Sequence, residues 1–254
     1  MYIPTAILIG FVTGLGAFLG SLLGLGGGFL IVPMLTIFLG IPIKVAVSLS
    51  LLSILANSIS ASIVYIDRDV VDYRLGLLLE STTMLGAIAG ANLNLMASES
   101  YIYIVFGAVL IYVAYRMVAG KKYEDHGSRG RTRRNLAIGV GVSFLAGLLS
   151  GLLGIGGGIL KMPILILLLS LPTRVAIGTS LFMISITSAT STYIYFINGV
   201  INLVYAPYAV LGASAGAQLG SRLGFRIEAR YLRVMFSIML LIFSILMIGR
   251  GLGI

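Results

Sequence analysis

Two glycine-rich stretches carry the backbone groups of this chain that are best suited to bind a small ligand. They contain Gly26-Gly27-Gly28 before Phe29 and Gly156-Gly157-Gly158 before Ile159. Each lies between apolar runs typical of helices, and glycine costs roughly 1 kcal/mol per helical position against alanine. We therefore predict that each stretch interrupts a helix. The first amides of the helix that follows have no partner inside it, so they need neighbouring side chains, trapped water or a bound anion.

The two stretches are copies of one another. Gly24 begins the first and Gly154 begins the second, the copies align without a gap, and a proline follows each. The repetition favours a binding site at which amides from both copies converge. The alternative is that the glycines only permit close packing of helices, as small residues do in bilayers.

Two charged residues fall within apolar segments. Lys161 follows the second glycine stretch, and its counterpart in the first copy is the apolar Ile31. A lysine in such a run needs a partner or water, so it either contacts a bound anion or extends to the membrane interface. Glu80 is either a site of proton coupling or the partner of a basic residue such as Arg74 or Arg222. Its closeness to a polar loop favours the pairing.

Small polar side chains recur at matching positions in the two copies. Ser50 and Asn57 lie seven positions apart, and Ser180 and Thr187 repeat them. This spacing makes about two helical turns, so each pair shares one face. Donors at these positions, with Thr179 beside them, either line an anion pathway or form hydrogen bonds between helices.

The composition is that of an integral membrane protein. Of the 254 residues, 59% are hydrophobic and 10% are charged, and the mean hydropathy is +1.09. Long apolar runs recur along the chain, each close to the length of about 20 residues that spans the hydrocarbon core of a bilayer. The alternation typical of barrel strands is absent, so the fold is predicted to be all-α.

The residue types that hold metals and carry out redox chemistry are nearly missing. There is no cysteine, and the single His126 lies in a charged loop. We therefore expect no metal site, no cofactor and no thiol chemistry.

The chain is an internal duplication. The predicted halves are residues 1–119 and 136–254, joined by a basic linker at 120–135. Each half is expected to contain a broken or re-entrant hairpin at the glycines, followed by three transmembrane helices. Matching positions outside the glycine stretches keep the same offset over the whole length. They include Pro42 and Pro172, Gly86 and Gly216, Gly90 and Gly220, and Tyr101 and Tyr231.

The basic residues favour halves of opposite orientation in the membrane. If each half crosses an odd number of times, nearly all the basic residues collect with the linker, and only Lys44 and Arg250 lie on the other face. Parallel halves would spread these charges over both faces. By the positive-inside rule, the linker is then cytoplasmic and both termini are outside. The net charge of +9 is attributed to this orientation and not to nucleic acid binding.

Inverted repeats with broken helices are the recurrent architecture of secondary transporters, which hold substrate near the bilayer midplane. The glycine stretches lack the lysine and hydroxyl spacing of a P-loop, so an ATP-driven pump is not supported.

Several motifs resemble those of a known family, the TauE/SafE sulfite exporters, also called toluene-sulfonate uptake permeases. The segments that carry the resemblance are Gly24–Gly28, Gly154–Gly158, Ala176–Leu181, Asn198–Asn202 and Gly212–Gly220. The resemblance implies a transporter of sulfur-containing anions such as sulfite, thiosulfate or organosulfonates.

We accordingly predict a multi-pass protein of the plasma membrane, a secondary transporter that exports such anions by alternating access around the two glycine breaks. An anion channel or facilitator is the alternative. An enzyme is disfavoured because the sequence lacks cysteine, a histidine in a span and a pair of carboxylates. The expected partners are the small anion and the bilayer, and a homo-oligomer is left open.

Overall fold

Apolar helices make up the regular structure of the described chain. A computed structural model describes residues 2–23, 26–119, 132–223 and 229–253. The helices are α1 (Tyr2–Leu23), α2 (Gly28–Ile37), α3 (Ile43–Ile66), α4 (Tyr73–Met96), α5 (Glu99–Ala119), α6 (Arg133–Leu153), α7 (Gly158–Pro163), α8 (Thr173–Ile197), α9 (Ala206–Leu223) and α10 (Ala229–Leu252). A π-helical turn, Ile164–Leu168, continues α7.

Four helical segments of the described chain are long and apolar enough to cross a membrane. They are Pro4–Leu22 in α1, Ile43–Ile66, Arg133–Leu153 and Thr173–Ile197. A helix rises by a fixed distance per residue, so segments of this length match the hydrocarbon core. The prediction of an all-helical membrane protein is confirmed.

The two halves repeat the same order of helices, with one local difference. α2 continues through Pro33 as a regular helix, whereas α7 ends at Pro163 and passes into the π-helical turn. In that turn, Leu169 N donates to Ile164 O at 3.0 Å, one residue further back than in an α-helix. Proline lacks an N–H and crowds the preceding turn, which accounts for the change of helix type after Pro163. The same argument does not explain why the helix stays regular after Pro33.

The halves interleave through small residues. α1 packs against α9, and α6 packs against α4, so the first helix of each half lies on the fourth helix of the other. These contacts are backbone to backbone: a Cβ at Gly86 would lie 2.0 Å from Phe144 O, and one at Gly216 would lie 2.0 Å from Gly14 O. Helices in membranes approach this closely only where side chains are small. α3 and α8 pack on each other between these pairs, and α5 packs on α10.

The boundary of the linker differs from the predicted one. Residues 120–131 lie outside the described ranges, and α6 already begins at Arg133. Its first bond runs from Leu136 N to Thr132 O at 3.1 Å. Arg133 and Arg134 are exposed, so helix formation there costs no burial of charge, and hydropathy alone marks the start of the helix too late.

Hydrogen bonds hold the ends of several helices against neighbouring parts of the chain. The connection between α3 and α4 lies on the start of α8, since Asp72 N donates to Thr179 Oγ1 at 2.9 Å. Elsewhere, Lys44 Nζ at the start of α3 donates to Leu95 O at 2.9 Å. Arg250 donates to Thr36 O at 2.6 Å, which joins the end of α10 to the end of α2.

Candidate functional site

Both hairpins break at the glycine stretches. α1 ends at Leu23 and α2 begins at Gly28, while α6 ends at Leu153 and α7 begins at Gly158. Two glycines of each break have left-handed backbone, which glycine adopts without steric cost. The φ values are 85° at Gly26, 84° at Gly27, 77° at Gly156 and 72° at Gly157.

The two breaks face the same pair of side chains. A Cβ at Gly26 would lie 3.3 Å from Ile54 and 3.6 Å from Ile184, and one at Gly156 would lie 3.0 Å and 3.4 Å from the same two residues. Ile54 and Ile184 are themselves counterparts in the duplication. The breaks therefore meet where the middles of α3 and α8 come together.

At each break the chain folds back beside the helix it has left. A Cβ at Gly27 would lie 2.2 Å from Gly16 O, and one at Gly16 would lie 2.4 Å from Ile31 Cγ1. In the second half a Cβ at Gly157 would lie 3.2 Å from Ala146 O. Each break is thus the tip of a helical hairpin.

The first amides of α2 and α7 precede the first hydrogen bonds of these helices. Those bonds run from Leu30 N to Gly27 O at 3.0 Å and from Leu160 N to Gly157 O at 3.2 Å. Helix starts cannot pair their leading N–H groups internally. The amides in question belong to Gly28, Phe29, Gly158 and Ile159.

Polar side chains from α3 brace both breaks. Ser50 Oγ donates to Gly154 O at 2.7 Å, and Asn57 Nδ2 donates to Gly26 O at 3.0 Å. The breaks also touch directly, because a Cβ at Gly28 would lie 2.1 Å from Gly154 O. Ser50 and Asn57 thus hydrogen-bond to backbone carbonyls of the breaks.

The site residues predicted in α8 face different parts of the structure. Ser180, the counterpart of Ser50, is buried. Thr179 points away from the breaks: its hydroxyl accepts from Asp72 N, and its methyl group lies against Gly76. A sequence cannot separate Thr179 from Ser180, because neighbouring helical residues differ by about 100° in direction.

Lys161 and Glu80 form an ion pair inside the protein. Lys161 Nζ lies 2.9 Å from Glu80 Oε2, and each residue is only 1% exposed. Thr187 joins them: its hydroxyl accepts from Lys161 Nζ at 2.5 Å and donates to Glu80 Oε1. Lys161 therefore does not extend to the interface. Glu80 pairs with neither of the arginines considered from the sequence, Arg74 and Arg222, whose side chains are both exposed.

The ion pair lies next to the second break. A Cβ at Gly157 would lie 3.5 Å from both Lys161 Cε and Ser150 Cβ. The Ser150 hydroxyl is fully buried and has no hydrogen-bond partner among the described residues. Sequence reasoning missed Ser150, whose counterpart is Gly20. A hydroxyl in place of a glycine was the available signal, but the neighbouring Gly16 is also replaced in the copy, by Ala146, so the loss of a glycine did not single out Ser150.

The region where the two breaks meet, called the centre below, is closed to solvent. The buried residues here include Gly26–Gly28, Gly156–Gly158, Asn57, Lys161 and Thr187. A cavity of about 570 Å³ lies elsewhere, against the apolar side chains of Leu52, Leu55 and Phe196. Within the ranges that the structure describes, no group of three or more acidic or histidine side chains is suited to a metal ion.

Comparison with known proteins finds similarity to proteins named as probable membrane transporters. It is 29% identical to "Probable membrane transporter protein YunE" of Bacillus subtilis, over 96% of this chain and 97% of that one. It is 30% identical to "Probable membrane transporter protein MJ0441" of Methanocaldococcus jannaschii, over 98% and 96% of the two chains. "Sulfite exporter TauE/SafE family protein 5" of Arabidopsis thaliana is 33% identical over 42% of this chain and 24% of its own.

No solved structure shows a significant match. The family model described as "Sulfite exporter TauE/SafE" matches residues 6–247. The resemblance carried by the glycine motifs is therefore confirmed, and the chain belongs to the TauE/SafE sulfite exporter family.

Proposed function

We propose that this protein is a secondary transporter that exports small sulfur-containing anions, such as sulfite, thiosulfate or organosulfonates, across the plasma membrane. The observation that carries the proposal is the meeting of two helix breaks at the buried centre of a membrane protein. Such breaks are the usual substrate sites of secondary transporters.

The groups around the breaks suit an anion. The leading amides of α2 and α7 are donors at the positive ends of helices. The ammonium group of Lys161, paired with Glu80, lies beside the second break, and Ser150 adds a buried hydroxyl that lacks a partner in the described chain. A sulfur oxyanion presents several acceptor oxygens to such donors.

Burial of the breaks favours alternating access over a permanently open channel. A substrate at the centre is shielded by α3 and α8, so one side of the molecule has to open for entry and the other for release. An anion channel is the alternative function. Exchange flux that saturates with substrate supports the transporter, and unitary currents support the channel.

The end contacts support an inverted arrangement of the halves. The end of α3 is near the start of α8, since a Cβ at Gly178 would lie 3.1 Å from Tyr65 Cβ. Because α3 and α8 are counterparts whose middles meet at Ile54 and Ile184, this proximity indicates that they run antiparallel. We therefore propose that both termini are outside and that the linker at 120–135 is cytoplasmic, in accordance with the positive-inside rule.

A thermal-shift screen of the purified protein tests the substrate class. A ligand stabilises the state that binds it, by about 2.7 kcal/mol at one hundred times its Kd. We expect sulfite, thiosulfate or sulfoacetate to raise the Tm and chloride to leave it unchanged. Equal shifts with all anions would contradict a selective site, and no shift with any of the sulfur anions would contradict the proposed function.

A further inference from the structure

The charges at the centre are balanced before any substrate arrives. Lys161 and Glu80 form a neutral pair, 2.9 Å apart and fully enclosed, with Thr187 hydrogen-bonded to both. An anion that joins Lys161 while Glu80 stays ionised would leave a net negative charge inside a membrane protein. An unpaired buried charge is costly enough that proteins neutralise it instead.

The neighbouring elements offer no other buried positive charge in the described chain. α7 presents Lys161, and the π-helical turn after it is apolar. α8 presents Thr187, and its ionisable residues are Arg174, Tyr193 and Tyr195. The basic residues of α6 and of α4 lie exposed at the starts of these helices, and they are Arg133, Arg134 and Arg74. Among the described residues, the carboxyl of Glu80 is therefore the one group next to Lys161 that can take up a proton.

We infer that Lys161 and Glu80 are a proton-dependent anion site, in which a monovalent sulfur anion takes the place of the Glu80 carboxylate on Lys161 as Glu80 gains one proton. The exchange balances: the ion pair and the incoming anion and proton become an anion paired with Lys161 and a neutral carboxylic acid. This inference rests on the proposed function and adds proton coupling to it.

The ion pair occurs at the second break and has no counterpart at the first. The counterparts of Lys161, Glu80 and Thr187 in the repeat are Ile31, Val210 and Asn57. Asn57 uses its amide to hold the Gly26 carbonyl at 3.0 Å, so the first break is braced by a neutral group. The apolar residues Ile31 and Val210 show that this position of the fold can be packed without charges. The charges in the second copy therefore indicate a role other than packing.

Transport by such a site is electroneutral for a monovalent anion. Anion and proton move together, so the membrane potential does not act on the loaded centre, and the direction follows the combined gradients of the two species. An anion that accumulates in the cytoplasm would leave with a proton.

The test measures binding of methanesulfonate to the full chain in detergent. This sulfonate stays monovalent across about pH 5.5 to 7.5, so its own titration does not interfere. For uptake of one proton per anion, we expect its Kd to rise about tenfold per pH unit as pH increases. Glu80→Gln should bind with an affinity that does not change with pH. Glu99→Gln, the same change at an exposed position, is the matched control and should behave like the parent.

A second variant covers the case in which Glu80→Gln does not fold. The double variant Glu80→Val with Lys161→Ile copies the apolar residues of the other half, and we expect it to fold and to lose methanesulfonate binding. Retained, pH-dependent binding by this variant would overturn the inference. A parent Kd that is constant with pH would also overturn it while leaving the proposed function intact. Absence of binding of every sulfur anion at any pH would overturn both.

Flux in proteoliposomes gives an independent readout. With the membrane potential set by a potassium gradient and valinomycin, we expect methanesulfonate flux of the parent to follow the pH difference and to ignore the potential. In Glu80→Gln the flux should instead follow the potential and ignore the pH difference. Flux of the parent that follows the potential alone would contradict the proton-dependent site.

Discussion

Lys161 and Glu80 determine the electrostatics of the centre at the scale of single residues. Either one alone is a charge without compensation, whereas the two together are neutral and hydrogen-bonded to Thr187. Removing one partner of a buried ion pair typically costs about 3 to 5 kcal/mol, and replacing both by apolar residues is often neutral or stabilising. We therefore expect the protein to fold without the pair when both partners are replaced together.

A stability series separates these two effects. We expect Lys161→Met to lower the free energy of unfolding by about 3 to 5 kcal/mol, because it leaves Glu80 buried without its counter-ion. The double variant Glu80→Val with Lys161→Ile should retain most of the parent stability. Denaturant unfolding in detergent at one pH measures both. A double variant as unstable as Lys161→Met would show that the pair holds α4 and α7 together.

A substitution at Gly157 tests whether the left-handed backbone of the second break is needed for anion binding. Its φ is 72°. We expect Gly157→Ala to cost about 1 to 2 kcal/mol, because this backbone conformation is strained for any residue with a Cβ. The change should also weaken anion affinity, since it shifts the amides of α7. Gly141→Ala is the matched control, because a Cβ at Gly141 meets nothing within 4 Å. Equal affinity of the two variants in the thermal-shift titration would place the site away from the break.

The broken hairpins and the close helix pairs define the molecule at the scale of elements. Three glycines within an apolar helical run indicate a break in any such sequence, so both breaks were predictable. The π-helical turn after Pro163 was not, because Pro33 stands at the matching position of α2 without producing one. Pattern alone does not distinguish the two outcomes.

Contacts between the two halves could not be predicted from the sequence, for a related reason. Glu80 and Lys161 are separated by 81 residues and belong to different halves, and periodicity says nothing about which helices become neighbours. Their shared signal was that both are charged residues in spans opposite apolar counterparts. That signal identifies two unusual positions but not their pairing.

The interface of α4 with α6 gives a test at this scale. We expect Gly86→Leu to lower the Tm strongly or to prevent folding, because a Cβ would already lie 2.0 Å from Phe144 O. Gly141→Leu, on α6 but open to its surroundings, should have little effect. Thermal unfolding and size-exclusion elution of both variants measure this. Comparable behaviour of the two would mean that the close approach is not needed.

Interleaving makes the whole molecule one unit. Because α1 packs on α9 and α6 packs on α4, neither half buries its first helix by itself. The pairs surround α3 and α8, which hold the two breaks between them. The alternating access proposed above would then have to move helices of both halves at once, as expected for a carrier built from repeats.

Labelling of single cysteines tests the proposed orientation of this unit in the membrane. The chain has no cysteine, so each introduced thiol is the sole target of a membrane-impermeant reagent. Ser98 lies between α4 and α5, shortly after Leu95, whose carbonyl accepts from Lys44 Nζ at the start of α3. Thr173 is the first residue of α8, and both side chains are exposed. We expect Ser98→Cys to react in intact cells and Thr173→Cys to react only after permeabilisation, because inverted halves put these ends on opposite faces. Reaction of both from the same side would favour parallel halves and remove the basis for a cytoplasmic linker.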